Sequence, residues 1–117
     1  MTDSIWGYQP TSGHIPGTDL IGYKVEATDG SIGKVDKHSD DVNSSYLVVD
    51  TGVWIFGKHV LLPAGTVRAI DQTERKVFVD LTKDEIKDSP EFDKDKHVGD
   101  TGYHEQVGSY YTDRRAL

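Results

Sequence analysis

The chain has 117 residues, room for one domain with a real core and not for two. Its 20 acidic and 13 basic residues give a net charge of −7, which disfavours non-specific binding to nucleic acid or anionic lipid, where phosphates demand Lys and Arg. There is no cysteine, which excludes disulfides, thiolate metal sites and a cysteine nucleophile, and fits a reducing compartment.

Residues 1–17 are rich in Gly, Ser, Thr and Pro and read as a flexible N-terminal arm. Ile5, Trp6 and Tyr8 interrupt it; such aromatics are expected to dock on the body of the same protein, the alternative being a partner. The arm has no basic stretch leading into an apolar one, and no apolar run in the chain is long enough to span a bilayer. The expected location is therefore cytoplasmic. Thr18-Asp19-Leu20-Ile21-Gly22 predicts one helical turn, capped by Thr18 or Asp19 and stopped by Gly22.

Alternation of apolar and polar residues then predicts strands. The first covers 23–28, with Tyr23, Val25 and Ala27 on one face. Asp29-Gly30 marks a hairpin into 31–38, where Ile32 and Val35 are three apart around Gly33. One extra residue at a glycine predicts a β-bulge, the device that bends a strand around a small barrel. The most apolar stretch follows. Tyr46, Leu47, Val48 and Val49 predict a strand over 45–51, and Val60, Leu61 and Leu62 another over 58–63, stopped by Pro63. Two shorter strands are expected over 67–71 and 76–81. The core should contain Val25, Ile32, Val35, Leu47, Val49, Val60, Leu62, Val67, Val77, Val79 and Leu81.

Leu81-Thr82-Lys83-Asp84-Glu85-Ile86 carries a capping box between Thr82 and Glu85 with Leu81 and Ile86 at the staple positions, so a short helix is predicted over 83–88 before Pro90. From Lys94 to Leu117 the apolar residues are scattered and glycines recur. That segment reads as a polar C-terminal tail, mobile or folded back along the body.

The order of these pieces matters more than any one of them. Asp19-Leu20-Ile21-Gly22, then Asp29-Gly30-Ser31-Ile32-Gly33-Lys34-Val35, then Leu47-Val48-Val49-Asp50, then Val60-Leu61-Leu62-Pro63 resembles the pattern of the PRC-barrel family. The resemblance covers residues 18–93 and is closest to stand-alone bacterial members. It implies a mainly β fold: a small, strongly bent PRC-type β-barrel of five or six strands, a short helix after it and flexible terminal arms. It also implies an adaptor that binds other proteins, since the family has no shared catalytic constellation. Relatives include the cytoplasmic domain of the photosynthetic reaction-centre H subunit and a ribosome-maturation protein. The membrane helix of the first and the second domain of the other have no counterpart in this sequence.

The expected function is a non-enzymatic protein-interaction module that self-associates; the alternative is a ribosome- or RNA-processing-associated factor acting through a ribosomal protein. No P-loop, G-x-S-x-G or G-x-G-x-x-G occurs, and no His pair has metalloprotease spacing. His38 with Asp36 and Asp40 could make a weak divalent site, but polar residues in a solvated turn account for them more simply. His104-Glu105 with Ser109 lacks a rigid scaffold in this reading. No metal, cofactor, catalytic residue or direct nucleic-acid partner is expected. The candidate partner-binding residues are Trp54 and Phe56, on a connection flanked by Gly52 and Gly57. They are either a lid over an open barrel end or an exposed patch for a protein partner or a second copy forming a homodimer. Tyr103, Tyr110 and Tyr111 are candidates to reinforce such contacts.

Overall fold

The computed structural model describes residues 5–8, 12–13, 18–39, 45–52, 59–89 and 101–115. Six strands occur in the expected places: β1 (Lys24–Ala27), β2 (Gly30–Ser39), β3 (Tyr46–Asp50), β4 (His59–Pro63), β5 (Val67–Asp71) and β6 (Lys76–Val79). They form one sheet in the order β4-β3-β2-β1-β6-β5, antiparallel except for the parallel pair of β1 with β6. The sheet does not close on itself through strand-to-strand hydrogen bonds. Its two edge strands are nevertheless consecutive in the chain, joined by the single 3-10 turn Ala64–Thr66. A connection that short forces the two edges to meet at one end, so the sheet is curled into a barrel-like shape.

The curvature comes from extra residues in the ladders. Val25 pairs with Gly33 while Glu26 pairs with Ser31, which leaves Ile32 as the extra residue of a bulge, one position before the glycine at which the sequence placed it. Further bulges fall at Asp36 and Arg68. Gly33 sits at φ +151°, and a Cβ there would lie 2.0 Å from the Asp50 carbonyl oxygen. Only a glycine lets β2 and β3 approach so closely at this bend.

Every residue named for the core is buried. β3 and β4 are buried on both faces. In register, Leu47 faces Leu62 and Val49 faces Val60, while Val48 and Leu61 pair on the opposite side. That second apolar face requires a cover, and it has one. The tail expected to be mobile or folded back contains a helix, α2 (Thr101–Arg115), packed against β4. Tyr103, Val107 and Tyr111 recur every fourth residue and so share its inner face. The shorter helix α1 (Lys83–Lys87) has the full capping box: the Glu85 N–H donates to Thr82 Oγ1 at 3.1 Å and the Thr82 N–H to Glu85 Oε1 at 2.9 Å.

Two local expectations need correction. The segment before β1 is a β-turn and not a helical turn. The Tyr23 N–H donates to the Leu20 carbonyl at 3.0 Å, with Gly22 at φ +88° in the third position where a type II turn requires glycine. The first hairpin turns on Thr28-Asp29, because Gly30 is already paired with Ala27. Among the described residues no helix is long and apolar enough to cross a membrane.

Candidate interaction surfaces

The N-terminal arm lies against the place where the sheet edges meet. The Gly65 N–H donates to the Ile5 carbonyl at 2.7 Å and the Ser45 N–H to the Trp6 carbonyl at 2.8 Å. Further along, the Ile70 N–H on edge strand β5 donates to the Ser12 carbonyl at 2.8 Å. The sequence expectation that Ile5, Trp6 and Tyr8 dock on the same protein agrees with this: all three pack on the core cluster. Trp6 stacks on His104 of α2 with ring centroids 5.3 Å apart, and Tyr46 meets the same imidazole edge-on at 5.4 Å.

Two glycines make this docking possible, and neither needs a left-handed backbone. A Cβ on Gly65 would come within 2.6 Å of the Ile5 carbonyl oxygen, and one on Gly108 within 2.9 Å of Trp6 Nε1. Gly108 lies inside a helix, where glycine costs about 1 kcal/mol relative to alanine. Contact with Trp6 is the physical reason for a residue that the helix itself disfavours. Beside the indole runs an open groove of about 430 Å³, lined by Ile5, Trp6, Glu105, Gly108, Ser109 and Thr112. Sequence reading missed this site because its two halves lie about a hundred residues apart. The pair of otherwise unexplained glycines was the available hint.

The predicted partner-binding residues fare differently. Trp54 and Phe56 lie outside the described residues. Tyr103 and Tyr111 are 5% and 0% exposed, taken up by the chain's own core. Tyr110 is half-buried; its hydroxyl donates to the Glu85 carbonyl at 2.5 Å and its ring meets Tyr111 edge-on at 5.0 Å. The first of these contacts ties α2 to α1. Burial pushes the Tyr111 phenol well above its ordinary value; the neighbouring Ser89 hydroxyl, which opposes that shift, already donates to the Ile86 carbonyl at 2.7 Å.

A second cleft, of about 330 Å³, opens at the root of the connection that carries Trp54 and Phe56. It is lined by Ser31, Ile32, Gly33, Lys34, Asp50, Thr51 and Gly52. Asp50 and Lys34 are register partners across β2 and β3. The Asp50 carboxylate accepts the Gly52 N–H at 2.9 Å, which fixes the exit of β3.

The described histidines are held by structural neighbours. His38 Nε2 accepts the Leu20 N–H at 3.3 Å and lies 3.6 Å from an Asp19 oxygen. Asp36, considered above as a neighbour of His38 in a cation site, instead faces His59 at 3.5 Å. Asp40, His14 and His97 lie outside the described residues. Among the described residues no group of three or more His, Asp or Glu side chains is placed to hold a metal ion. His104 belongs to the aromatic stack, while Ser109 is exposed.

No family model matches the sequence, and no curated protein matches it. Among solved structures, the chain is similar to RimM of Pseudomonas aeruginosa, described as a 16S ribosomal RNA processing protein. The identity is 24% and the TM-score 0.49, over 61% of this chain and 48% of that one. The chain thus spans about half the length of that protein.

Proposed function

We propose that the chain is a non-enzymatic protein-interaction module of the PRC-barrel type, which associates with a second copy of itself and docks on a protein partner. One observation carries this reading: among the described residues, the histidines and the two buried tyrosines of α2 are spent on holding the fold. His38 fixes the turn before β1, His59 faces Asp36, and His104 is clasped between Trp6 and Tyr46. Tyr103 and Tyr111 fill the core. Catalysis needs a nucleophile, a base and a group to orient it within mutual reach. These residues instead serve three different structural contacts.

The partner surface in this reading is the connection bearing Trp54 and Phe56, rooted at the cleft between Gly33 and Gly52. Large aromatics anchor interfaces through fully desolvated contacts. The test is the double variant Trp54→Ser and Phe56→Ser. Proteins that co-purify with the unaltered chain from its native host are expected to be lost, with the far-ultraviolet circular dichroism unchanged. Retention of the same proteins would move the surface elsewhere. Loss of the fold would make the two aromatics a lid. Salt-sensitive binding of RNA in an electrophoretic shift would replace the reading with the RNA-processing one.

A further inference from the structure

We propose that a row of three lysines on the outer face of the sheet, Lys34, Lys24 and Lys76, is a docking site for an acidic peptide segment of a partner protein. The inference rests on the partner-binding part of the reading above and names the chemistry of that partner.

The register of the sheet sets the row. Lys24 of β1 stands opposite Lys34 of β2 on one side and Lys76 of β6 on the other. Val25, Val35 and Val77, the next residues along the three strands, are buried, so alternation turns the lysines outward. Lys24 and Lys34 are exposed and Lys76 is half-buried. Like charges directly opposite one another in a sheet are destabilising, and here two such pairs share Lys24. Among the described residues none of the three lysines makes an ion pair. Their outer register neighbours are carboxylates held by local turns: Asp50 accepts the Gly52 N–H and Asp71 the Glu74 N–H, each at 2.9 Å. The arginines nearby are engaged, Arg68 over the Phe78 ring at 5.7 Å and Arg75 over Tyr23 at 5.5 Å.

A self-repelling cationic row in a chain of net charge −7 has its complement in an anion from outside. The dimensions select the anion. Neighbouring strands lie about 4.8 Å apart, so the row spans about 10 Å. Asp50 and Asp71 close its two ends, and Glu26, two residues along β1 on the same face, closes a third side. A continuous phosphate backbone would run onto one of these carboxylates, whereas two or three Asp or Glu residues of one short peptide fit between them. Lys34 also lines the cleft at the root of the connection bearing Trp54 and Phe56, so one partner can engage both.

The test titrates a hexaglutamate peptide into the isotope-labelled full chain and follows amide chemical shifts. Saturable shifts centred on Lys24, Lys34 and Lys76 are expected, and they should weaken as salt is added. The triple variant Lys24→Gln, Lys34→Gln and Lys76→Gln should bind about tenfold more weakly, the combined scale of three exposed ion pairs. It should also melt at a higher temperature than the unaltered chain, because the repulsion is gone. A lysine that merely held the fold would give the opposite shift in melting. Lys24→Gln alone, which removes both like-charge pairs, replaces the triple variant if that fails to fold. Trp54→Ser with Phe56→Ser should leave peptide binding intact, so the row and the aromatic connection fail separately. No saturable binding, or equal binding by the lysine variants, overturns the proposal and leaves docking through Trp54 and Phe56 standing. A uridine hexanucleotide that binds the same lysines more tightly than the peptide overturns it in favour of a phosphate-bearing partner.

Discussion

Replacing Gly33 by alanine should unsettle the bend between β2 and β3. The new methyl would lie 2.0 Å from the Asp50 carbonyl oxygen, 2.9 Å from its carbon and 3.0 Å from Thr51 Cα. Non-bonded heavy atoms rest at about 3.5 Å, so the strands must part by more than about 1 Å. All three obstructing atoms are backbone and cannot swing aside. Parting the strands here costs one or two ladder hydrogen bonds at about 1 kcal/mol each. Holding alanine at φ +151° costs about 1–3 kcal/mol more. The sum, about 2–5 kcal/mol, is a large share of a typical domain stability of about 5–15 kcal/mol. Urea titration followed by circular dichroism should register it, together with a fall in Tm on the order of 10–20 °C. Gly52→Ala is the control: it too has a positive φ, +58°, but a Cβ there meets nothing within 4 Å, and it should cost only about 1–2 kcal/mol. A Gly33→Ala variant within about 1 kcal/mol of the unaltered protein would refute the close-approach account.

Two further outcomes follow from the helices. Thr82→Ala should lower stability by about 1 kcal/mol, the usual scale for a lost N-cap; an unmoved midpoint in thermal melting would mean α1 is dispensable. Tyr111→Phe should change stability by no more than about 1 kcal/mol at neutral pH, since it removes a poorly satisfied buried hydroxyl. Its effect in alkali is larger and has a definite sign. The folded phenol resists ionisation because it is buried, whereas the unfolded one ionises above about 10. The stability linked to Tyr111 is therefore intact below that pH and lost as pH rises through and beyond it. Urea midpoints measured between neutral pH and strong alkali should fall less steeply for Tyr111→Phe, and parallel slopes would contradict the assignment.

Strands were legible where alternation survives: Val25 and Ala27, then Leu47 and Val49, then Val77 and Val79 all mark the inner face. The capping box was legible because it is a local contract between Thr82 and Glu85. Even the first bulge could be read, from a glycine and a broken alternation. Helix α2 could not. Its inner face consists of Tyr103, Val107 and Tyr111, with Gly108 beside them, and glycine and tyrosine are weak helix formers. The helix packs against β4 and meets Tyr46 of β3 through His104, a surface created only when β3 and β4 pair. The arm slot is likewise invisible locally, since Gly65 and Gly108 have meaning only in relation to Ile5 and Trp6. Tertiary partners, not propensity, decided these elements.

The stack of Trp6 on His104 also sets an order of events during synthesis. A ribosome makes the arm first, and the β1–β4 strands can pair soon afterwards through neighbouring segments. β1 must then wait for β6, its parallel partner, some fifty residues downstream. The arm waits longer still, because half of its seat is α2, which exists only once residue 108 and its neighbours have left the tunnel. Until then the Ser45 and Gly65 amides can hold the Trp6 and Ile5 carbonyls, but the indole has no helix wall to stack on. Long-range closure of this kind is slow relative to hairpin formation. Between the making of Trp6 and the making of His104 the arm is therefore without its seat on α2, and chaperones or a sister chain on the same message could reach it.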